Sequence, residues 1–140
     1  GATLTHFNPC GVCSTLQDLA VYAEQNDIGK PMQKCGVDNF GRPVADLVAC
    51  VERMGMTKPC AQAWAYNSRF TQEKCIDVCF AQLDAPHHQR DGKLNTCLAC
   101  EQRLSGPTFK VVAGRTRRNT GLAASVCLPC SDVRPVVHEY

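Results

Sequence analysis

A chain of 140 residues with a net charge of +2 has room for one ordinary hydrophobic core and not for two. The charge is too small to make nucleic acid or an anionic membrane a partner of the whole molecule, and no apolar run of eighteen residues is present to form a transmembrane helix. Eleven cysteines at this length point to a disulfide framework in an oxidising compartment, either extracellular space or an organelle lumen.

In chain order, an irregular lead-in reaches Cys10-Gly-Val-Cys13 and a first helix. Ser14 and Gln17 have capping-box spacing. Leu16, Leu19, Ala20 and Ala23 then recur at helical spacing and predict the buried face. Gly29 and Pro31 are expected to end that helix, and the stretch PMQKCG, with Cys35, reads as a short turn. Pro43 suits the first turn of a second helix, in which Val44, Leu47, Val48, Val51 and Met54 form a stripe beside Cys50 and Gly55 caps the end. Pro59 opens a third short helix, CAQAWAYN. A fourth is expected from near Thr71, with Cys75, Ile76, Cys79, Phe80 and Leu83 on one face and Pro86 as its stop.

The polar connector that follows contains His87 and His88, which read as solvent-exposed. A short helix is expected over TCLACEQRL, closed by Ser105-Gly106-Pro107. TFKVV is the one convincing strand candidate. A basic loop follows, then helical turns before Cys127-Leu-Pro-Cys130, and an extended tail around Pro135. The expected fold is mainly α: one disulfide-rich domain over residues 1–140, with four to six short helices and at most a small β-hairpin.

Cys10, Cys13, Cys35, Cys50, Cys60, Cys75, Cys79, Cys97, Cys100, Cys127 and Cys130 are all candidate disulfide partners, and spacing does not give their pairing. Bonds from Cys75 and Cys79 to Cys35, Cys50 or Cys60 would staple the helices. The odd count leaves at least one cysteine free, chemically used, or bonded between chains. Two further chemistries stay open. Cys10 and Cys13 precede a helix, where the dipole favours thiolate, so they are candidates for a thiol–disulfide oxidoreductase or redox sensor. That family of enzymes sets a strand before the motif, and none is legible here. Cys97, Cys100, Cys127 and Cys130 are two Cys-x-x-Cys pairs of the kind that hold zinc, although the seven other cysteines favour disulfides. No cofactor is expected on the leading reading, with zinc as the alternative.

No Ser/His/Asp set, phosphate loop or tuned carboxylate pair is legible, so no catalytic residue is assigned. The concentrated charge is Lys110, Arg115, Arg117 and Arg118. With nearby glycines it predicts a loop offering guanidinium forks to an acidic group on a partner.

CGVCSTLQDLAVY and SGPTFKVVAGRTRRNTGL resemble stretches of small cysteine-rich proteins of algae and other microbial eukaryotes. The resemblance implies an exported or lumenal protein and carries no activity. The combined expectation is a non-catalytic, disulfide-stabilised protein that binds another protein, as an accessory subunit of a larger, membrane-associated complex.

Overall fold

The computed structural model describes residues 2–124, 126 and 133–137. The chain is mainly helical: α1 (Leu16–Glu24), α2 (Gly29–Asp38), α3 (Val44–Glu52), α4 (Lys58–Cys79), α5 (Thr96–Leu104) and α6 (Gly106–Ala113), with 3-10 turns at Phe80–Gln82 and Arg118–Thr120. Among the described residues the only β pairing is an isolated bridge between His88 and Leu94. No described helix is long and apolar enough to cross a membrane.

The first helix turns a different face inward from the one its apolar spacing predicts. Leu16 is 73% exposed, whereas Asp18, Val21 and Tyr22 are buried. The reason is polar. Asp18 Oδ1 accepts the backbone N–H of Thr57 at 2.8 Å, and its Oδ2 accepts the Thr57 hydroxyl at 2.9 Å. One buried carboxylate therefore answers the start of α4, where helical N–H groups lack partners. The N-cap of α1 is Thr15 rather than Ser14, its hydroxyl accepting from Asp18 N. Ser14 Oγ is used instead by Gly11 N and His6.

α2 replaces the expected turn. Pro31 lies in its first turn, where no N–H is needed, and Asp27 Oδ1 accepts from Gly29 N and Lys30 N. α3 follows the predicted pattern, with Leu47, Val48 and Val51 buried and Gly55 at φ +103. The third and fourth expected helices are one. α4 runs 22 residues without a break, about 33 Å, and α2, α3, α5 and α6 all contact it. The strand candidate TFKVV is helical and lies within α6. Pro107 starts it, Phe109 packs edge-on against Trp64 with centroids 4.6 Å apart, and Val111 and Val112 face outward. Tertiary packing here overrides the β preference of the valines.

Among the described residues four disulfides bind these elements: Cys13–Cys60, Cys35–Cys50, Cys75–Cys100 and Cys79–Cys97. The expected links from Cys75 and Cys79 back to the N-terminal half are not formed. Both cysteines reach α5, because α5 folds back alongside the end of α4 and presents Cys97 and Cys100 one turn apart. Under the chain-entropy view each loop, closed by itself, would contribute about 3–4 kcal/mol, and a bond nested with another contributes less, still a large share of a typical domain's net stability.

The lead-in packs on the end of α6. Val12 and Cys13 donate backbone bonds to the carbonyls of Val112 and Ala113 at 3.0 and 2.9 Å. A Cβ on Gly11 would lie 2.3 Å from Val112 O, and one on Gly114 would lie 2.2 Å from Gly11 N. Gly114 also sits at φ +71, so both positions require glycine.

Candidate functional site

The basic cluster does not form the exposed patch expected of it. Arg115 is fully buried. Its Nε donates to Cys13 O at 3.0 Å, Nη1 to Thr5 O and Thr120 Oγ1, and Nη2 to Thr5 Oγ1 and Ser14 O. Burial pulls its pKa below the usual arginine value, opposed by its neighbours Tyr22 and Asp18. It serves as an internal clamp on the lead-in, and the reading of Arg115 as a partner contact is corrected. Arg117 donates to Tyr22 O and Gln25 O, each at 2.6 Å, and to Ala123 O at 2.7 Å. It answers carbonyls at the end of α1, a favoured place for a cation. Arg118 Nη2 reaches Val126 O at 3.5 Å. Lys110 is the member of the four that stands exposed, on α6.

The cysteine alternatives are also placed. Cys10 is exposed and free, while Cys13 is buried and bonded to Cys60, so the structure does not join the two as a redox pair. Cys97 and Cys100 are bonded to Cys79 and Cys75. In this oxidised form neither sulfur is a thiolate of the kind zinc takes. Cys127 and Cys130 lie outside the described residues. Among the described residues no group of three or more His, Cys, Asp or Glu is placed to hold a metal ion.

What the structure does bring together is apolar surface on both sides of α4. On one side, Tyr66 and Phe70 of α4 join Leu104, Phe109, Val112 and Val12 around an open depression of about 530 Å³. Tyr66 is 61% exposed and Val112 45%, with Phe70 and Leu104 only slightly less so. Arg69 and Glu73 border the patch. Behind Phe109, Trp64 packs edge-on against its ring and donates Nε1–H to the Tyr22 hydroxyl at 3.2 Å.

On the other side, α2, α4 and α5 enclose a groove of about 420 Å³. Its walls include Met32, Ile76, Leu83 and Leu98, and Trp64, Asn67, Gln72, His87 and Glu101 also line it. Phe40 and Phe80 meet edge to face at 5.6 Å at its margin, each about half exposed. His87, expected in solvent, is half-buried, with Nε2 3.6 Å from Asp27 Oδ2. Burial raises the pKa of Glu101, and a hydrogen bond from Asn67 opposes that shift in part.

Neither surface was apparent from the sequence. Tyr66, Phe70, Leu104 and Val112 come from three helices, and one was expected to be a strand. The spacing Tyr66–Phe70 along α4 was the available signal, and it is legible only once α4 is taken as continuous.

No curated protein and no solved structure matches the chain. A family described as of unknown function, DUF8771, matches residues 44–136, from α3 through the tail. That span contains both cysteines of the Cys75–Cys100 and Cys79–Cys97 bonds and one of each of the other two. The match extends over more than half of the chain, and the chain belongs to this family of unknown function, DUF8771.

Proposed function

We propose that this is a non-catalytic, exported or lumenal protein that docks another protein through the α4–α6 face, as an accessory subunit of a larger, membrane-associated assembly. The observation that carries the reading is the contiguous exposed patch of Tyr66, Phe70, Leu104 and Val112. Large apolar groups grouped on a surface are costly in water and mark interaction sites. Aromatic residues are moreover enriched where proteins meet. The rim residues Arg69 and Glu73 supply the polar border typical of such contacts. Four disulfides favour an oxidising compartment.

The test places a photo-crosslinking amino acid at Tyr66 in the protein expressed in its native compartment, with Lys34 on the surface of α2 as control. A crosslink to a defined protein from Tyr66 and none from Lys34 is the expected result. The double variant Tyr66→Ser/Phe70→Ser should abolish co-purification of that protein and leave the melting temperature within a few degrees. Equal crosslinking from both positions, or none from Tyr66, would remove the reading.

A further inference from the structure

Arg69 and Glu73, which border the α4–α6 depression, stand one turn apart on α4 without pairing. Two other cation–carboxylate sets of the same order and spacing do close, Lys34–Asp38 at 2.7 Å and Arg42–Asp46 at 3.0 Å. Arg69 instead donates Nη2 to Arg42 O at 2.7 Å. Among the described residues neither Arg69 nor Glu73 is in an ion pair. Water serves both charges in the free molecule. At the edge of a covered apolar patch they need opposite charges from whatever covers it. The covering surface must therefore offer a carboxylate to Arg69 and a cation to Glu73, roughly 6 Å apart along the helix.

The face itself carries that pair of charges at that separation. Its apolar part has the matching order. Ala63, Tyr66, Phe70 and Glu73 border the depression at alternating three- and four-residue steps along α4, the spacing at which one helix seats its side chains against another. Two copies with their α4 helices pointing the same way would oppose Arg69 to Arg69 and Glu73 to Glu73. Antiparallel, about a twofold axis beside Phe70, each Arg69 meets the Glu73 of the other copy, and the contact occurs twice.

We propose that the partner at this face is a second copy of the chain, in a twofold dimer with the α4 helices antiparallel. Tyr66 and Phe70 lie between the copies, and two Arg69–Glu73 pairs close the rim. The aromatic side chains supply most of the affinity. The rim pairs, partly exposed, add little affinity and set direction and register. This dimer, which rests on the α4–α6 face being a docking surface, makes the pair of chains the unit offered to a larger assembly.

The oxidised protein, its free thiols blocked with iodoacetamide so that association is noncovalent, is followed by sedimentation equilibrium over roughly 1–300 μM. The expected result is a concentration-dependent passage from monomer to dimer. Tyr66→Ser/Phe70→Ser should weaken it by about tenfold or more, and so should each charge reversal, Arg69→Glu or Glu73→Arg, because the twofold repeats every like-charge contact. Mixed in equal amounts, the two charge-reversed proteins should form a one-to-one heterodimer of wild-type strength, since each acidic position then faces a basic one. That recovery also excludes misfolding as the cause of the single-variant losses. A wild type that stays monomeric throughout overturns the proposal, as does a dimer indifferent to the aromatic double variant or a mixture that fails to associate. A monomer whose Tyr66 crosslinks to a different protein overturns the twofold dimer alone and leaves the docking face standing.

Discussion

Three residues show how much of this protein's chemistry is internal. Arg115 sits in the segment with the densest positive charge, and its charge faces inward to three backbone carbonyls and two hydroxyls. Arg115→Met should therefore destabilise by about 3 kcal/mol or more, because it leaves buried acceptors unpaired. Arg115→Lys should recover little, since an ammonium cannot reproduce the fork. Urea denaturation of the oxidised proteins checks both, and a loss under about 0.5 kcal/mol, the range of ordinary surface changes, would refute the clamp. Asp18 is the negative counterpart, a buried carboxylate spent on the start of α4. For neither residue does the linear sequence distinguish a surface charge from a clamp. The decisive partners of Arg115 lie about a hundred residues away.

Glu101 carries the pH consequence. Burial raises its pKa above the ordinary glutamate value, so the folded state holds that proton more tightly than the unfolded one. Its contribution to stability is full below the unfolded value of 4.5 and declines as pH rises toward the folded value. Glu101→Gln keeps the acceptor oxygen for Asn67 and removes the titration. The variant should gain stability over wild type at neutral pH and gain nothing near pH 4. Urea midpoints across that range decide it, and a gain independent of pH would contradict the assignment.

At the scale of elements, α3 was the most legible. Pro43, the Val44–Met54 stripe and Gly55 are local signals, and local physics sets that helix. The local pattern divides α4 into CAQAWAYN and a helix from near Thr71, with the weak helix formers Asn67 and Ser68 between, yet four neighbouring helices contact the continuous element. The valines of α6 suggest a strand, although they face outward and Phe109 and Ala113 are the apolar side chains that pack. Disulfide pairing was not legible, because it depends on α5 lying antiparallel to the end of α4. The two bonds there form a ladder with one ring inside the other. With Cys79–Cys97 intact, Cys75–Cys100 closes an effective ring of roughly eight residues, worth about 2.5 kcal/mol rather than the roughly 3.5 of an isolated loop. Replacing Cys75 and Cys100 by alanine should cost near the lower figure, plus the packing lost at two buried positions, and denaturant midpoints measure it. A cost well below 1 kcal/mol would show that the inner bond alone holds α5.

At the scale of the whole molecule, α4 is both the scaffold and the divider of two apolar surfaces. One carries the exposed side chains of Tyr66, Phe70, Leu104 and Val112. The other is a groove between α2, α4 and α5 with Phe40 and Phe80 at its margin. The cysteine-rich class followed from composition and the helical class from local apolar spacing and proline positions, whereas the surfaces required the packing.

The disulfides also set an order of assembly. Cys35–Cys50 lies within the span of Cys13–Cys60, Cys79–Cys97 lies within that of Cys75–Cys100, and no bond of the first pair crosses one of the second. A chain emerging from its N-terminus can complete the first bracket as soon as Cys60 appears, before any cysteine of the second exists to compete for it. Among these eight cysteines the two brackets thus need not compete with each other, while within each bracket the outer cysteine, Cys13 or Cys75, must stay unpaired until its late partner, Cys60 or Cys100, appears.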